Sequence, residues 1–197
     1  MASDGPTSRS PAGRRRRGRR SGSEAIRWVL AAVLIVALTV GIRLFVFESF
    51  WIPSESMEPT LHGCQGCHDD RILVFRLAYH LHDVHRGDIV VFRRPPGVPE
   101  DEKYLVKRVI ALPGQTVLAS KGVVRVNGRP LADKYVDASC QGTESFGPVA
   151  VPAGRLFVMG DNRCDSFDSR RFGSIAESSL VGQAVARIWP VSRVGGL

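Results

Sequence analysis

Two serines stand between two prolines in the run Pro53-Ser54-Glu55-Ser56-Met57-Glu58-Pro59. Proline fixes its own φ and restricts the residue before it, so this backbone is stiff and can hold a hydroxyl in one place. A hydroxyl becomes a nucleophile only with a base beside it. The ordinary candidates are five histidines, His62, His68, His80, His82 and His85, but no local form such as G-x-S-x-G accompanies them. The other base is a neutral lysine, which requires apolar surroundings that disfavour the ammonium. Of the four lysines, Lys103, Lys121 and Lys134 read as exposed. Lys107 alone is set among apolar β-formers, in Leu105-Val106-Lys107-Arg108-Val109-Ile110. The plainer readings are a linker for the serines and an outward-facing charge for Lys107.

A third run, Gly160-Asp161-Asn162-Arg163-Cys164-Asp165-Ser166-Phe167-Asp168-Ser169-Arg170-Arg171-Phe172-Gly173, packs three aspartates and three arginines between glycines. Alternating charges at this spacing suit a network of ion pairs that stiffens a loop; a solvated loop is the alternative. Cys64-Gln65-Gly66-Cys67-His68 matches the C-x-x-C-H pattern of haem attachment, and with His62 the same residues have the makings of a zinc site. A disulfide is the commoner outcome, with Cys64–Cys67 and Cys140–Cys164 as the expected pairs among three connectivities.

These residues must be positioned by elements, and the elements differ along the chain. The first 27 residues carry eight arginines against Asp4 and Glu24, so most of the formal net charge of +8 sits at one end of the 197 residues. Residues 1–24 have no apolar content for a core and read as a disordered tail. Such a run can contact nucleic acid, or it can hold an N-terminus in the cytoplasm beside a membrane span. Residues 25–47, AIRWVLAAVLIVALTVGIRLFVF, choose the second reading. At about 1.5 Å per residue they span ~34 Å, enough for a bilayer core. No small-residue cleavage pattern follows, so a retained anchor is expected rather than a removed leader. Residues 48–197 then lie outside the cytoplasm, and no nucleic-acid partner is expected.

From residue 48 onward, short β-branched runs alternate with Gly, Pro and Asn clusters. Strands are expected at 89–92, 105–110, 123–126, 155–159 and 183–188, with a hairpin turn at Asn127-Gly128. Residues 71–81 read as a short helix, and 116–154 as a small insert of strands and loops. The fold class is mainly β: an antiparallel β domain behind one N-terminal transmembrane helix.

Four runs in this order after a membrane span, PSESMEPTL, RGDIVVF, VKRVIALPGQ and GDNRCDSFDSRRFG, resemble the motif set of bacterial type I signal peptidases. The resemblance covers residues 50–173 and leaves the tail unaddressed. It implies an SH3-like barrel element in the β domain and a serine endopeptidase that removes signal peptides after small residues at −1 and −3. By position, Ser56 resembles the nucleophile and Lys107 the general base. Ser54 resembles the oxyanion-hole hydroxyl, and Ser166 the serine that hydrogen-bonds and orients the lysine. Asp161 with Arg108, and Asp168 with Arg170, resemble structural ion pairs. Phe50, Ile52, Pro53 and Met57 resemble the walls of the substrate pockets. Ala111-Leu112-Pro113-Gly114-Gln115 departs from the family's usual Gly-Leu-Pro-Gly-Asp, as do Cys164 and Asp165 in the last motif. The resemblance implies no metal and no cofactor. It implies signal peptides, the lipid bilayer and the neighbourhood of the secretion translocon as partners.

Overall fold

The computed structural model describes residues 21–63, 66, 69–98, 103–132, 134–136 and 145–197. It divides into two units, 1–41 and 42–197. The described part of the first is most of helix α1, Ser21–Phe45. Its stretch Glu24–Ile42 is the one helix among the described residues long and apolar enough to cross a membrane. Leu34, Val36 and Leu38 lie exposed along it, with Trp28 near its start.

The second unit begins with β1, Phe47–Trp51, followed by a single 3₁₀ turn, Glu55–Met57. Next come β2 (Arg71–Phe75), α2 (Ala78–Leu81), β3 (Ile89–Arg93) and β4 (Tyr104–Ala111). A separate group holds β5 (Thr116–Ser120), β6 (Val123–Val126), β7 (Arg129–Pro130) and β8 (Phe146–Ala150). The chain then returns through β9 (Arg155–Met159), α3 (Ser169–Phe172), β10 (Ile175–Ala176), β11 (Leu180–Trp189) and β12 (Gly195–Gly196).

Two sheets result, and every pairing among the described strands is antiparallel. The larger runs β1-β2-β11-β3-β4-β9-β10 with β12 beside β11; the smaller runs β7-β6-β5-β8. Repeated register shifts along β11 and β4 mark bulges, which increase local twist and let the sheet curl. The mainly β expectation holds.

Strand β4 is the centre of this arrangement because its side chains feed different cores. Tyr104 and Val106 pack against the cluster of Ile52, Met57, Leu61 and Ile89. Leu105 and Val109 join Val90, Phe92, Leu156 and Val158. Ile110 and Ala111 enter a third cluster with Val117, Val124, Phe157 and Met159, which ties the smaller sheet to the larger. A near-continuous apolar run is what a strand buried on both faces requires. Two polar residues in it, Lys107 and Arg108, are therefore carried into the interior at 3% and 5% exposure.

The expected strands at 89–92, 105–110, 123–126, 155–159 and 183–188 all form, with ends moved by zero to three residues. Asn127 and Gly128, at φ 49° and 77°, make the hairpin between β6 and β7. One expectation fails. Residues 71–81 are not a helix: Arg71–Phe75 is a strand paired on both sides, by β1 and β11, and only Ala78–Leu81 is helical. Two flanking strands supply a ladder that local periodicity cannot register.

Candidate active site

The 3₁₀ turn Glu55–Met57 places Ser56 against β4, and the Lys107 amine donates to Ser56 Oγ at 2.7 Å. Ser56 is 9% exposed, so both groups of the pair are nearly excluded from water. Across the ladder Lys107 stands opposite Val90, itself fully buried. The hydroxyl of Ser54 lies 3.2 Å from that of Ser56. Three groups separated by up to 53 residues thus share one point. A hydroxyl bonded to a buried amine, with a second hydroxyl beside it, has the makings of acyl transfer.

Three features hold the turn. Met57 is buried in the core with Ile52 and Leu61. Asn162 donates its backbone N–H to the Ser56 carbonyl at 3.2 Å and its side-chain amide to the Glu55 carbonyl at 3.1 Å. A Cβ at Gly160 would collide with the Ser56 carbonyl oxygen and the Ser166 side chain, so only glycine lets the strand end come this close. Gly63 does the same on the other side, where a Cβ would collide with the Ile52 carbonyl and approach the Ser54 carbonyl to 2.6 Å.

Beneath the turn lies a charged scaffold. Arg108 makes a two-pronged contact with Asp161, Nε to Oδ1 at 2.8 Å and Nη2 to Oδ2 at 2.6 Å. Asp161 is fully buried and also accepts from Thr60 Oγ1 at 2.6 Å. Arg108 further donates to the Gly87 carbonyl at 2.8 Å and lies 3.7 Å from the centre of the Tyr135 ring. Asp168, also fully buried, takes Arg170 Nε at 2.9 Å and the Gly160 N–H at 3.0 Å, and caps α3 through the Arg170 N–H. Charges taken this far from water persist only when paired and hydrogen-bonded. Both pairs meet that condition.

The cleft beside Ser56 has a volume of about 250 Å³ and runs between the segment 50–57 and the segment 103–107. Phe50, Ile52, Pro53 and Met57 all line it, with Tyr104 edge-on to Phe50 at 5.5 Å. Its walls are chiefly apolar, and Ser54, Ser56 and Lys107 supply the polar groups at its reacting end.

Ser166 differs from expectation. Its hydroxyl is solvent-excluded and has no hydrogen-bond partner among the described residues, Lys107 included, so the bond implied by the resemblance is not made. Its side chain instead packs where a Gly160 Cβ would stand. Cys164 is disulfide-bonded. Cys64, Cys67, Cys140 and His68 lie outside the described residues, and with them the expected pairings and the haem and zinc alternatives. His62 is described: it lies 3.2 Å from Glu58. Reading the residues alone missed Thr60, Asn162 and Gly160. The only available signal was their position, flanking Pro59 and opening the GDN run.

The β frame and the chemistry of its cleft define a hydrolase of the serine type. The family model described as signal peptidase, peptidase S26, matches residues 25–189. A signal peptidase I of Mycobacterium tuberculosis is 39% identical over 85% of this chain and 74% of its own length. That of Leptolyngbya laminosa is 38% identical over 99% of this chain and 95% of its own. That of Bacillus licheniformis is 34% identical over 85% and 90% respectively. The chain belongs to the signal peptidase family, peptidase S26, and is a serine endopeptidase.

Proposed function

We propose that this enzyme removes signal peptides from exported preproteins, with Ser56 as nucleophile and Lys107 as general base. The observation that carries the assignment is the 2.7 Å bond between a 3%-exposed lysine and a 9%-exposed serine. A lysine in water is almost wholly ammonium at neutral pH and has no lone pair to offer. Burial beside Val90 withdraws water from the ammonium and favours the neutral amine that the reaction needs.

Neutral Lys107 takes the Ser56 proton as Ser56 Oγ attacks the scissile carbonyl. The negative charge that forms on the carbonyl oxygen is met by the Ser54 hydroxyl and the Ser56 N–H. The protonated lysine then returns its proton to the leaving amine, and water, activated by the same amine, releases the acyl-enzyme. The Arg108–Asp161 and Asp168–Arg170 pairs hold the surrounding backbone and take no proton in the cycle.

Phe50, Ile52, Pro53 and Met57 form the shallow walls that accept small side chains at −1 and −3. Glu24–Ile42 is apolar enough to serve as the anchor, with the arginine-rich tail on the cytoplasmic side by the positive-inside rule. The catalytic domain then lies outside the cytoplasmic membrane. Tethering there, near the translocon, raises the effective concentration of cleavage sites whose own apolar segment is still in the bilayer.

Incubation of the detergent-solubilised protein with a preprotein tests this reading. Wild type cuts after Ala at −1 and fails when that residue is Phe, whereas Ser56→Ala cuts neither. Equal cleavage of the Ala and Phe substrates contradicts it.

A further inference from the structure

The end of the cleft farthest from Ser56 carries a positive charge that the reaction does not use. Lys103 lines the cleft and is exposed. Its carbonyl accepts the Arg94 N–H at 3.1 Å, and Tyr104 next to it pairs with Arg93, while Glu100, Asp101 and Glu102, which precede it in the sequence, lie outside the described residues. Arg94 commits its guanidinium to the Val98 carbonyl at 2.6 Å. The Lys103 amine instead lies 5.3 Å from the centre of the Tyr104 ring, and among the described residues it has no carboxylate within ion-pair distance.

The position of that charge relative to the reacting atoms follows from strand geometry. Four steps of extended chain separate Lys103 from Lys107, about 13 Å at ~3.3 Å per residue. Along Tyr104–Arg108 strand β4 is paired by β3, while β9 pairs with it only from Arg108 onward. Among the described strands only β3 pairs with Leu105 and Val106, and an extended peptide laid along the other edge of β4 advances at the same rise per residue.

We propose that Lys103 is a specificity-determining residue that favours an acidic side chain, and disfavours a basic one, four or five residues before the cleaved bond. The assignment rests on the signal-peptide reading. If Phe50, Ile52, Pro53 and Met57 hold the −1 and −3 side chains, the chain before the cleaved bond occupies this cleft and reaches Lys103 last. Because the amine is exposed, its pull is screened by salt and amounts to a few-fold in rate.

The test uses three otherwise identical peptides with Ala at −1 and −3 and Asp, Ala or Lys at −5. With the full-length enzyme in detergent at low salt, kcat/KM should fall in the order Asp, Ala, Lys, with about threefold to tenfold between the extremes. In ~0.5 M NaCl the spread should collapse. Lys103→Glu should reverse the order and Lys103→Met should flatten it, each rate being taken relative to the same variant's rate on the Ala peptide. Lys121→Glu, a charge change on the smaller sheet's β5–β6 turn, should leave the order intact. The same order in Lys103→Glu as in wild type overturns the inference, as does equal cleavage of the three peptides by wild type at low salt. Failure of wild type to cut the Ala peptide at all counts against the signal-peptide reading itself, so the two failures are distinguishable.

Discussion

Lys107 and Arg108 are neighbours on one strand, equally hidden from water, and are held in opposite ways. Arg108 meets a buried carboxylate through two short bonds and is closed off further by Gly87 and Tyr135. Lys107 directs its amine to a neutral hydroxyl at the end of a cleft. A guanidinium stays charged at any usable pH and fits a carboxylate in a fork, so it suits a permanent brace. An ammonium can surrender its proton, and burial next to an uncharged acceptor assists it. One strand thus carries a structural cation and a reactive one side by side, and the chemistry of the partner separates them.

Removing the reactive pair should give the largest effect and leave the frame alone. Ser56→Ala and Lys107→Met should each lower kcat by about 10⁴-fold or more, as expected of groups that act as a unit. Their thermal melting should stay near wild type. A loss of folding in Lys107→Met equal to that in an Arg108 variant would erase the distinction between the two cations.

Removing half of the brace should do the reverse. Asp161→Ala leaves Arg108 buried without its carboxylate and should cost about 3–5 kcal/mol of stability, read from urea unfolding. Replacing both partners by apolar residues of similar volume should recover much of that loss. A single variant as stable as wild type would show that the pair holds nothing.

Between these extremes lies the oxyanion hydroxyl. Ser54→Ala should lower kcat by about 10²–10³ with KM little changed, since its bond strengthens only as charge develops on the carbonyl oxygen. A smaller effect is expected at Gly160→Ala, where the added methyl pushes on the Ser56 carbonyl and the Ser166 side chain. It should cost about 1–3 kcal/mol in stability and slow turnover by displacing Ser56.

Much of this contrast was legible in the sequence, for reasons that differ by region. The strands from Ile89 onward are β-branched runs cut by Gly and Pro, and local pattern alone gives them. β1 was hidden because Phe47–Trp51 continues the apolar run of α1, and β2 because Ile72, Leu73 and Phe75 also fit a helical face. Lys107 stood out as the one lysine among apolar β-formers, yet its partner lies 51 residues away and composition cannot join the two. The motif resemblance joined them. Thr60 and Asn162 escaped because a small polar residue in a loop has no pattern; its role exists only once Asp161 or the Ser56 carbonyl arrives beside it. The Ser166 bond to Lys107 was carried over from resemblance and is not made here, since its hydroxyl is buried without a hydrogen-bond partner among the described residues.

The central claim is that a lysine, and no histidine, is the base. The most direct test is kcat/KM for a signal-peptide substrate from pH 5 to 11, in wild type, Lys107→Arg and the five single His→Ala variants. Only the neutral amine accepts the Ser56 proton, so activity should rise with pH through an alkaline pKa and be absent in Lys107→Arg. Each His→Ala variant should retain the wild-type profile. A profile governed by a pKa near 6.5 that disappears with one histidine, or an active Lys107→Arg enzyme, would contradict the account.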